Sequence, residues 1–343
     1  MNRLVPMTLT LTLAGIAVAA PPPAPPPGSA RLLSAPGEEV LHPRLDPTTG
    51  IVTYEVVEEG RRAVRQVALG NGGPRPVGTE TMRDVVPARL GRPVGNRLGP
   101  DGRWSVTVAG QEPCSASAAS DMHPALSPDG RLVAFASGRS GRGDIIVADA
   151  VKHSQSGRRA SQDPSPEASP VFAPDGKKLA FLRFGPKGRS IVMATGFDGK
   201  GSASERVVAD ERDGALSVSF RPDGKTLAYY GRDWTVGTSL FVTDVDGSAG
   251  RRLFSDVKAQ RAGPAWLAQP GGAVVVAVRQ DDQIVLIADD GSDTLVTTES
   301  VGNTEVTAGT VRGQRWIVFT ALGLEKDESK DLRRLKLYAI QLQ

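Results

Sequence analysis

The chain has 343 residues, with 41 basic and 38 acidic side chains and a formal net charge of +3. This length accommodates two average domains or one β-propeller, and so balanced a charge gives no strong case for an acidic polymer as partner. Glycine (39) and proline (26) are plentiful, whereas aromatic residues make up only 5%. That composition is typical of many short strands joined by turns, and the scarcity of aromatic side chains argues against nucleic acid as a ligand.

The N-terminus predicts a cleavable secretory signal peptide over residues 1–19. Arg3 precedes an apolar run from Met7 to Ala20, and Ala17-Val18-Ala19 is a small-residue cleavage site. The run is shorter than the roughly 20 apolar residues that span a bilayer, and no other stretch is long enough. No transmembrane segment is therefore expected after cleavage, and the protein is expected in the periplasm or outside the cell.

A proline-rich spacer is predicted over residues 20–30, because Pro21–Pro27 favours an extended polyproline II conformation. Residues 31–343 are then expected to form a single domain. Its first strand, at residues 31–35, is similar to the strand predicted at Arg251–Phe254.

A first repeat unit is predicted from Glu39 to Leu69, with a turn at Pro47. Residues 75–124 are less regular: Val86-Pro87-Ala88-Arg89-Leu90 resembles the start of a repeat, and Gly99-Pro100-Asp101-Gly102 is a tight-turn sequence. Because 81 residues separate Pro47 from Pro128, the stretch between them fits two compressed units better than one.

Three clear copies of one motif follow, each with a Pro-Asp-Gly turn between two apolar runs. Proline sets φ for the turn, aspartate caps the backbone locally and glycine tolerates positive φ. The turn prolines are spaced by 46 and 48 residues, a period typical of a propeller blade of four antiparallel strands. The turn residues are Pro128, Asp129, Gly130, Pro174, Asp175, Gly176, Pro222, Asp223 and Gly224.

Two weaker units complete the chain, one with a turn near Pro270 and one with strands at Arg315–Thr320 and Lys336–Leu342. Counting turns predicts seven blades. The last blade lacks a fourth strand of its own, while residues 31–35 form a strand with no blade before them. We therefore expect the N-terminal strand to pair with the last blade and close the ring, which removes exposed strand edges.

The motif Pro124–Gly130, followed by Leu132-Val133-Ala134-Phe135, resembles the PD40 repeat of TolB-like β-propellers. The resemblance implies an all-β propeller, for which six blades is the alternative count, and a role in binding. The Tol–Pal translocation proteins of this family also carry an α/β domain before the propeller. Here only about ten residues separate the spacer from the first blade.

His42 and His123 occupy the same repeat position, just before the proline that opens a first strand. We expect both near the central channel at one end, with Glu39 and Asp121 beside them as a candidate binding site. Two histidines without a third do not make a convincing ligand set, so neither a metal nor another cofactor is predicted. His153 lies outside the pattern.

Other chemistry-bearing residues favour structural roles. Cys114 is the single cysteine and has no intramolecular disulfide partner. A nucleophile elbow of the form Gly-x-Ser-x-Gly does not occur, which excludes a peptidase of the α/β-hydrolase type. Basic side chains in neighbouring loops form either a patch or a scattered surface, and the aspartates after the third strands favour plain turns over calcium sites. The basic residues are Arg139, Arg142, Lys152, Arg158, Arg159, Lys187 and Arg189, and the aspartates are Asp149, Asp198, Asp246 and Asp290.

Two classes of function remain. The first is an exported, non-enzymatic propeller that binds proteins of the periplasm or cell envelope, as a monomer. The alternative is a carbohydrate lyase or hydrolase that acts at the channel mouth.

Overall fold

The computed structural model describes residues 30–58, 60–70, 72–77, 82–87, 93–108, 115, 118–150, 157–197, 204–210, 214–233, 237–248, 250–297, 300–324 and 334–342. The predicted signal peptide, most of the predicted spacer, Cys114 and His153 lie outside these residues. Within them the chain is almost entirely β-structure, with one short 3-10 helix at Gly138–Ser140. None of the described helices is long and apolar enough to cross a membrane.

The strands, in chain order, are β1 (Arg31–Leu32), β2 (Val40–Asp46), β3 (Ile51–Glu58), β4 (Arg61–Ala68), β5 (Arg75–Pro76), β6 (Met82–Val86), β7 (Val94–Leu98), β8 (Trp104–Val108), β9 (Asp121–Leu126), β10 (Leu132–Ser137), β11 (Asp144–Asp149), β12 (Arg158–Arg159), β13 (Glu167–Phe172), β14 (Lys178–Gly185), β15 (Gly188–Thr195), β16 (Ser204–Ala209), β17 (Ser217–Phe220), β18 (Thr226–Asp233), β19 (Gly237–Asp244), β20 (Arg251–Phe254), β21 (Ala265–Gln269), β22 (Gly272–Val278), β23 (Ile284–Ile287), β24 (Asp293–Thr297), β25 (Ser300–Val301), β26 (Glu305–Val311), β27 (Gln314–Ala321), β28 (Gly323–Leu324) and β29 (Lys336–Leu342).

These strands form seven antiparallel blades, which confirms the all-β propeller and the blade count expected from the turns. Blades 1 to 6 are β2–β5, β6–β8, β9–β12, β13–β16, β17–β20 and β21–β24, and blade 7 is β26, β27, β29 and β1. Blade 2 shows three strands within the described residues. A small separate sheet pairs β25 with β28.

The N-terminal strand closes the ring as expected. Arg31 and Leu32 of β1 pair with Ala339 and Tyr338 of β29. The backbone N–H of Leu33 donates to the carbonyl of Leu337 at 2.8 Å, so the first strand of the domain completes the last blade.

Apolar runs in the middle strands are covered on both faces, as stacked blades require. In β22, for example, every residue from Ala273 to Val278 is buried. The described residues form seven apolar clusters, one between each pair of neighbouring blades. The cluster between blades 1 and 2 is the smallest and contains the buried residues Val64, Met82 and Val85.

The two faces of the ring differ in the loops that they carry. We call the turn face the one that bears the turns from the first to the second strand of each blade, such as Ser127–Arg131 and Ala173–Lys177. The link face bears the connections from one blade to the next. The Gly99–Gly102 turn joins β7 to β8 within blade 2 rather than first to second strand, which explains its short spacing from Pro128.

Candidate functional site

A strained residue sits at one shared position in the first strands of blades 1 to 4. His42, Asp84, His123 and Ser169 all have φ between 51° and 54°, the left-handed region that side chains other than glycine rarely adopt. The strand register shifts at this point in each of the four blades, as at a β-bulge. Left-handed conformation costs roughly 1–2 kcal/mol per such residue, and strain of this kind clusters at functional sites.

The expectation that His42 and His123 share a position is therefore met by the backbone, and Ser169 is the equivalent residue of blade 4. In blade 2 the equivalent residue is Asp84, and not Val86 as the sequence alignment of the repeats indicates. The error arises because no proline follows Asp84, so the motif could not be aligned there.

Two cavities lie along the central channel. The turn-face cavity has a volume of about 540 Å³ and is mostly apolar; its lining includes Leu45, Leu126 and Phe172 together with the turn residues Pro47 and Pro128. The link-face cavity is smaller, about 120 Å³. Its lining includes the polar residues Arg44, Asp84, His123, Ser169, Ser217 and Arg261. Val86, Ala125 and Val171 line both cavities and so form the waist between them.

Charged groups in the link-face cavity are partly neutralised. Arg261 Nη2 lies 2.7 Å from Asp84 Oδ1, and the other carboxylate oxygen of Asp84 accepts a hydrogen bond from Asn96 at 3.0 Å. Burial lowers the pKa of His123, an effect that Asp84 opposes and Arg261 reinforces. His123 is therefore a neutral imidazole at pH 7, and its buried Nδ1 has no hydrogen-bond partner among the described residues.

The ring of His42 lies close to two carboxylates, although its Nδ1 makes no hydrogen bond within the described residues. Its Nδ1 is 3.3 Å from Glu55 and its Nε2 is 3.8 Å from Glu305 of blade 7, which also accepts the backbone N–H of His42 at 2.6 Å. Glu55 is fully buried and pairs with Arg62 at 2.7 Å. Although burial raises the pKa of Glu55, His42 and then Arg62 outweigh it, so the pKa is lowered.

The structure does not bring all four predicted binding residues together. His123 lines the link-face cavity, and the ring of His42 is engaged with glutamates. Asp121 is buried beside Arg139, with the two charged groups 3.7 Å apart, and Glu39 precedes β2; neither belongs to the lining of the cavity. The part of the chain that the structure describes contains no cluster of three or more histidine, cysteine, aspartate or glutamate side chains suited to a metal.

Sequence reasoning missed Arg44, Asp84 and Arg261. Arg44 lies two residues after His42 on β2, so the repeat motif around Pro43 was a usable signal. Arg261 lies in the link before β21, which has no motif of its own.

The repeat-turn residues serve the turns. Asp129, Asp175 and Asp223 each accept a backbone N–H two residues on, at distances of 2.8 to 3.0 Å. Gly130, Gly176 and Gly224 have φ between 68° and 74°. Away from the channel, Arg139 and Arg159 lie beside the buried carboxylates Asp121 and Asp144.

Together, the seven blades, the N-terminal closure and the Pro-Asp-Gly turns define a seven-bladed β-propeller. No protein-family model matches the chain, and no curated protein matches it.

Solved structures of the same fold include three proteins that are described as having different functions. A putative TolB from Agrobacterium tumefaciens is 17% identical over 65% of this chain and 83% of its own, with a TM-score of 0.53. A puromycin-hydrolyzing peptidase from Mycobacterium tuberculosis is 15% identical over 86% of this chain, with a TM-score of 0.63; this chain spans 52% of the peptidase. An oligogalacturonate lyase from Vibrio parahaemolyticus is 10% identical over 90% of this chain and 92% of its own, with a TM-score of 0.64. At these identities the likenesses establish the fold.

Proposed function

We propose that this chain is an exported, non-enzymatic propeller that binds a protein of the periplasm or cell envelope at the turn-face mouth of its channel. The observation that carries the proposal is the turn-face cavity of about 540 Å³, whose lining is mostly apolar. Ligand sites are concave and largely apolar, with a few polar groups that set orientation. A cavity of this volume accepts one or two large side chains of a partner.

The opening of this cavity has the composition of a protein-binding site. The exposed turn residues Thr48 and Thr49 line it beside the apolar side chains. Protein interfaces have the same arrangement, in which an apolar anchor fills a central pocket and a polar rim excludes water. The predicted signal peptide supports a location in the periplasm or cell envelope, because it would direct the chain to export.

Matched substitutions on one face of the ring test the proposal. Thr48 is exposed at the rim of the turn-face cavity, and its backbone N–H, rather than its side chain, bonds Asp46. Thr48→Arg would place a long charged side chain over the cavity. Thr294 is exposed on the outermost strand of blade 6, so Thr294→Arg is the control.

Tagged residues 31–343 would capture candidates from an envelope extract, and each candidate would be purified and its dissociation constant measured. We expect Thr48→Arg to weaken the genuine complex at least tenfold and Thr294→Arg to leave it unchanged. Equal affinity for both variants and the parent protein would refute binding at this mouth.

A carbohydrate lyase or hydrolase is the second candidate. The link-face cavity combines a neutral histidine with two arginines, and a lyase that spans nearly the whole chain is among the proteins of this fold. A lyase would release an unsaturated product, seen by ultraviolet absorbance, from acidic oligosaccharides with added divalent metal. If the parent protein turns over such a substrate and His123→Ala abolishes that turnover, the lyase function would replace the binding function proposed above.

A further inference from the structure

Arg44 differs from two other arginines of this region, Arg261 in the cavity lining and Arg62 beside Glu55. Arg261 and Arg62 each contact a carboxylate at 2.7 Å. Arg44, which lines the link-face cavity, donates through Nη1 to the carbonyl of its neighbour Pro43 at 3.2 Å, and no carboxylate of the described residues lies within salt-bridge distance. A guanidinium has five N–H donors, so most of the hydrogen-bonding capacity of Arg44 faces the cavity unused.

The charge in the cavity is also unbalanced. Two guanidinium groups line it against the single carboxylate of Asp84, which is committed to Arg261 and Asn96. Outside the lining, Glu55 is paired with Arg62, whereas the carboxylate of Glu305 contacts only His42 among the described residues and acts on Arg44 from beyond salt-bridge distance. Burial lowers the pKa of Arg44, the largest influence on it, yet a guanidinium remains protonated at neutral pH. The lining of the cavity thus carries one more positive than negative group, and the nearby Glu305 offsets part of that charge.

Uncharged polar groups surround that charge. His123 presents a buried Nδ1 without a hydrogen-bond partner in the described part of the chain, and the hydroxyl of Ser169 lines the same cavity. Both residues hold the left-handed conformation of the first-strand bulge. Strained backbone that aims polar side chains into one cavity is typical of a binding site.

We propose that the link-face cavity binds a compact oxyanion, a carboxylate or a phosphate group, with the guanidinium of Arg44 as its main anchor. A planar guanidinium offers two parallel N–H donors to such an anion, and charge-assisted pairs of this kind are the strong ones. The volume of about 120 Å³ accommodates one anionic group with a few waters. This site lies at the opposite end of the channel from the proposed protein-binding mouth and does not depend on it.

Anion binding to the folded chain is tested by the unfolding midpoint at constant ionic strength, with inorganic phosphate, acetate or chloride as the added salt. A ligand that binds only the native state raises the midpoint as its concentration exceeds the dissociation constant. We expect phosphate, acetate or both to raise the midpoint relative to chloride. Their relative affinities distinguish a phosphate-bearing ligand from a carboxylate.

Arg44→Gln should weaken this binding at least tenfold. Arg75→Gln, on the exposed outermost strand of blade 1, is the matched control and should bind as the parent does. In NMR titrations the imidazole signals of His123 should shift with the anion and lose that response in Arg44→Gln, provided that the variant keeps the parent's far-ultraviolet spectrum. No anion effect in the parent protein, or equal effects in Arg44→Gln, would overturn the proposal.

Discussion

Leu33 offers a sharp test of how the ring is closed. It is 6% exposed and packs in the cluster between blades 7 and 1, whereas its neighbour Leu32 is 46% exposed. Leu33→Ala removes buried methyl groups and leaves the backbone hydrogen bond to Leu337 in place. Substitutions of this kind cost about 2–5 kcal/mol, and a site near the ring edge that can relax falls at the lower end, about 3 kcal/mol.

The matched variant Leu32→Ala removes the same groups from a half-exposed position, so its cost should be about 1 kcal/mol or less. Denaturant unfolding of both variants would be followed by tryptophan fluorescence, since Trp316 packs against the same cluster as Leu33. The expected difference of about 2 kcal/mol is roughly a 30-fold change in the unfolding equilibrium. Equal losses in the two variants would refute the inference that Leu33 fastens the N-terminal strand to blade 7.

Three further predictions concern single side chains, and denaturant unfolding measures each. Glu55→Gln should lower the free energy of unfolding by about 2 kcal/mol at neutral pH. The folded state lowers the pKa of Glu55, so this stability is present above about pH 4.5 and disappears as pH falls through the folded pKa. The stabilities of the variant and the parent should therefore converge in acid. Gly263→Ala should lower the free energy of unfolding by at least about 2 kcal/mol more than Gly271→Ala. Both glycines have positive φ, but only at Gly263 would a Cβ clash with a neighbour, the carbonyl oxygen of Val218 at 2.5 Å. Similar losses in the two variants would contradict this reasoning. Ser127→Ala should lower the free energy of unfolding by about 1 kcal/mol, because Ser127 Oγ donates to Asp129 and accepts the backbone N–H of Leu132. The hydrogen bond from Ser127 lowers the pKa of Asp129, so an NMR titration of the variant should show that pKa raised.

The ring could be predicted from the sequence because each blade repeats the same local chemistry. Pro-Asp-Gly turns fix where first and second strands meet, and the unmatched strand at residues 31–35 could only complete the unmatched blade at the C-terminus. Blade 2 was harder to divide. Gly99–Gly102 suits any tight hairpin, so its residue types could not reveal that it joins second and third strands.

The candidate site was predictable only in part. The shared position of His42 and His123 follows from the repeat, because equivalent residues of stacked blades face the same axis. The partners of these histidines do not follow from the repeat. Glu305, for example, contacts His42 from the neighbouring blade 7, although 263 residues separate the two in sequence. Arg261 likewise comes from a link with no repeat motif. Contacts between blades depend on side-chain reach in three dimensions, which a period along the chain does not encode.

The closure also sets a time order for folding. Ser34 accepts the backbone N–H of Leu337, 303 residues further along the chain, so the ring closes only when two distant segments meet. Contacts between such distant parts of a chain form slowly, because the loop entropy is lost before the contact forms. Until blade 7 forms, blade 1 has no neighbour on one side and its apolar flank stays uncovered. The chain is therefore most exposed to misassembly in the interval before blade 7 completes the ring.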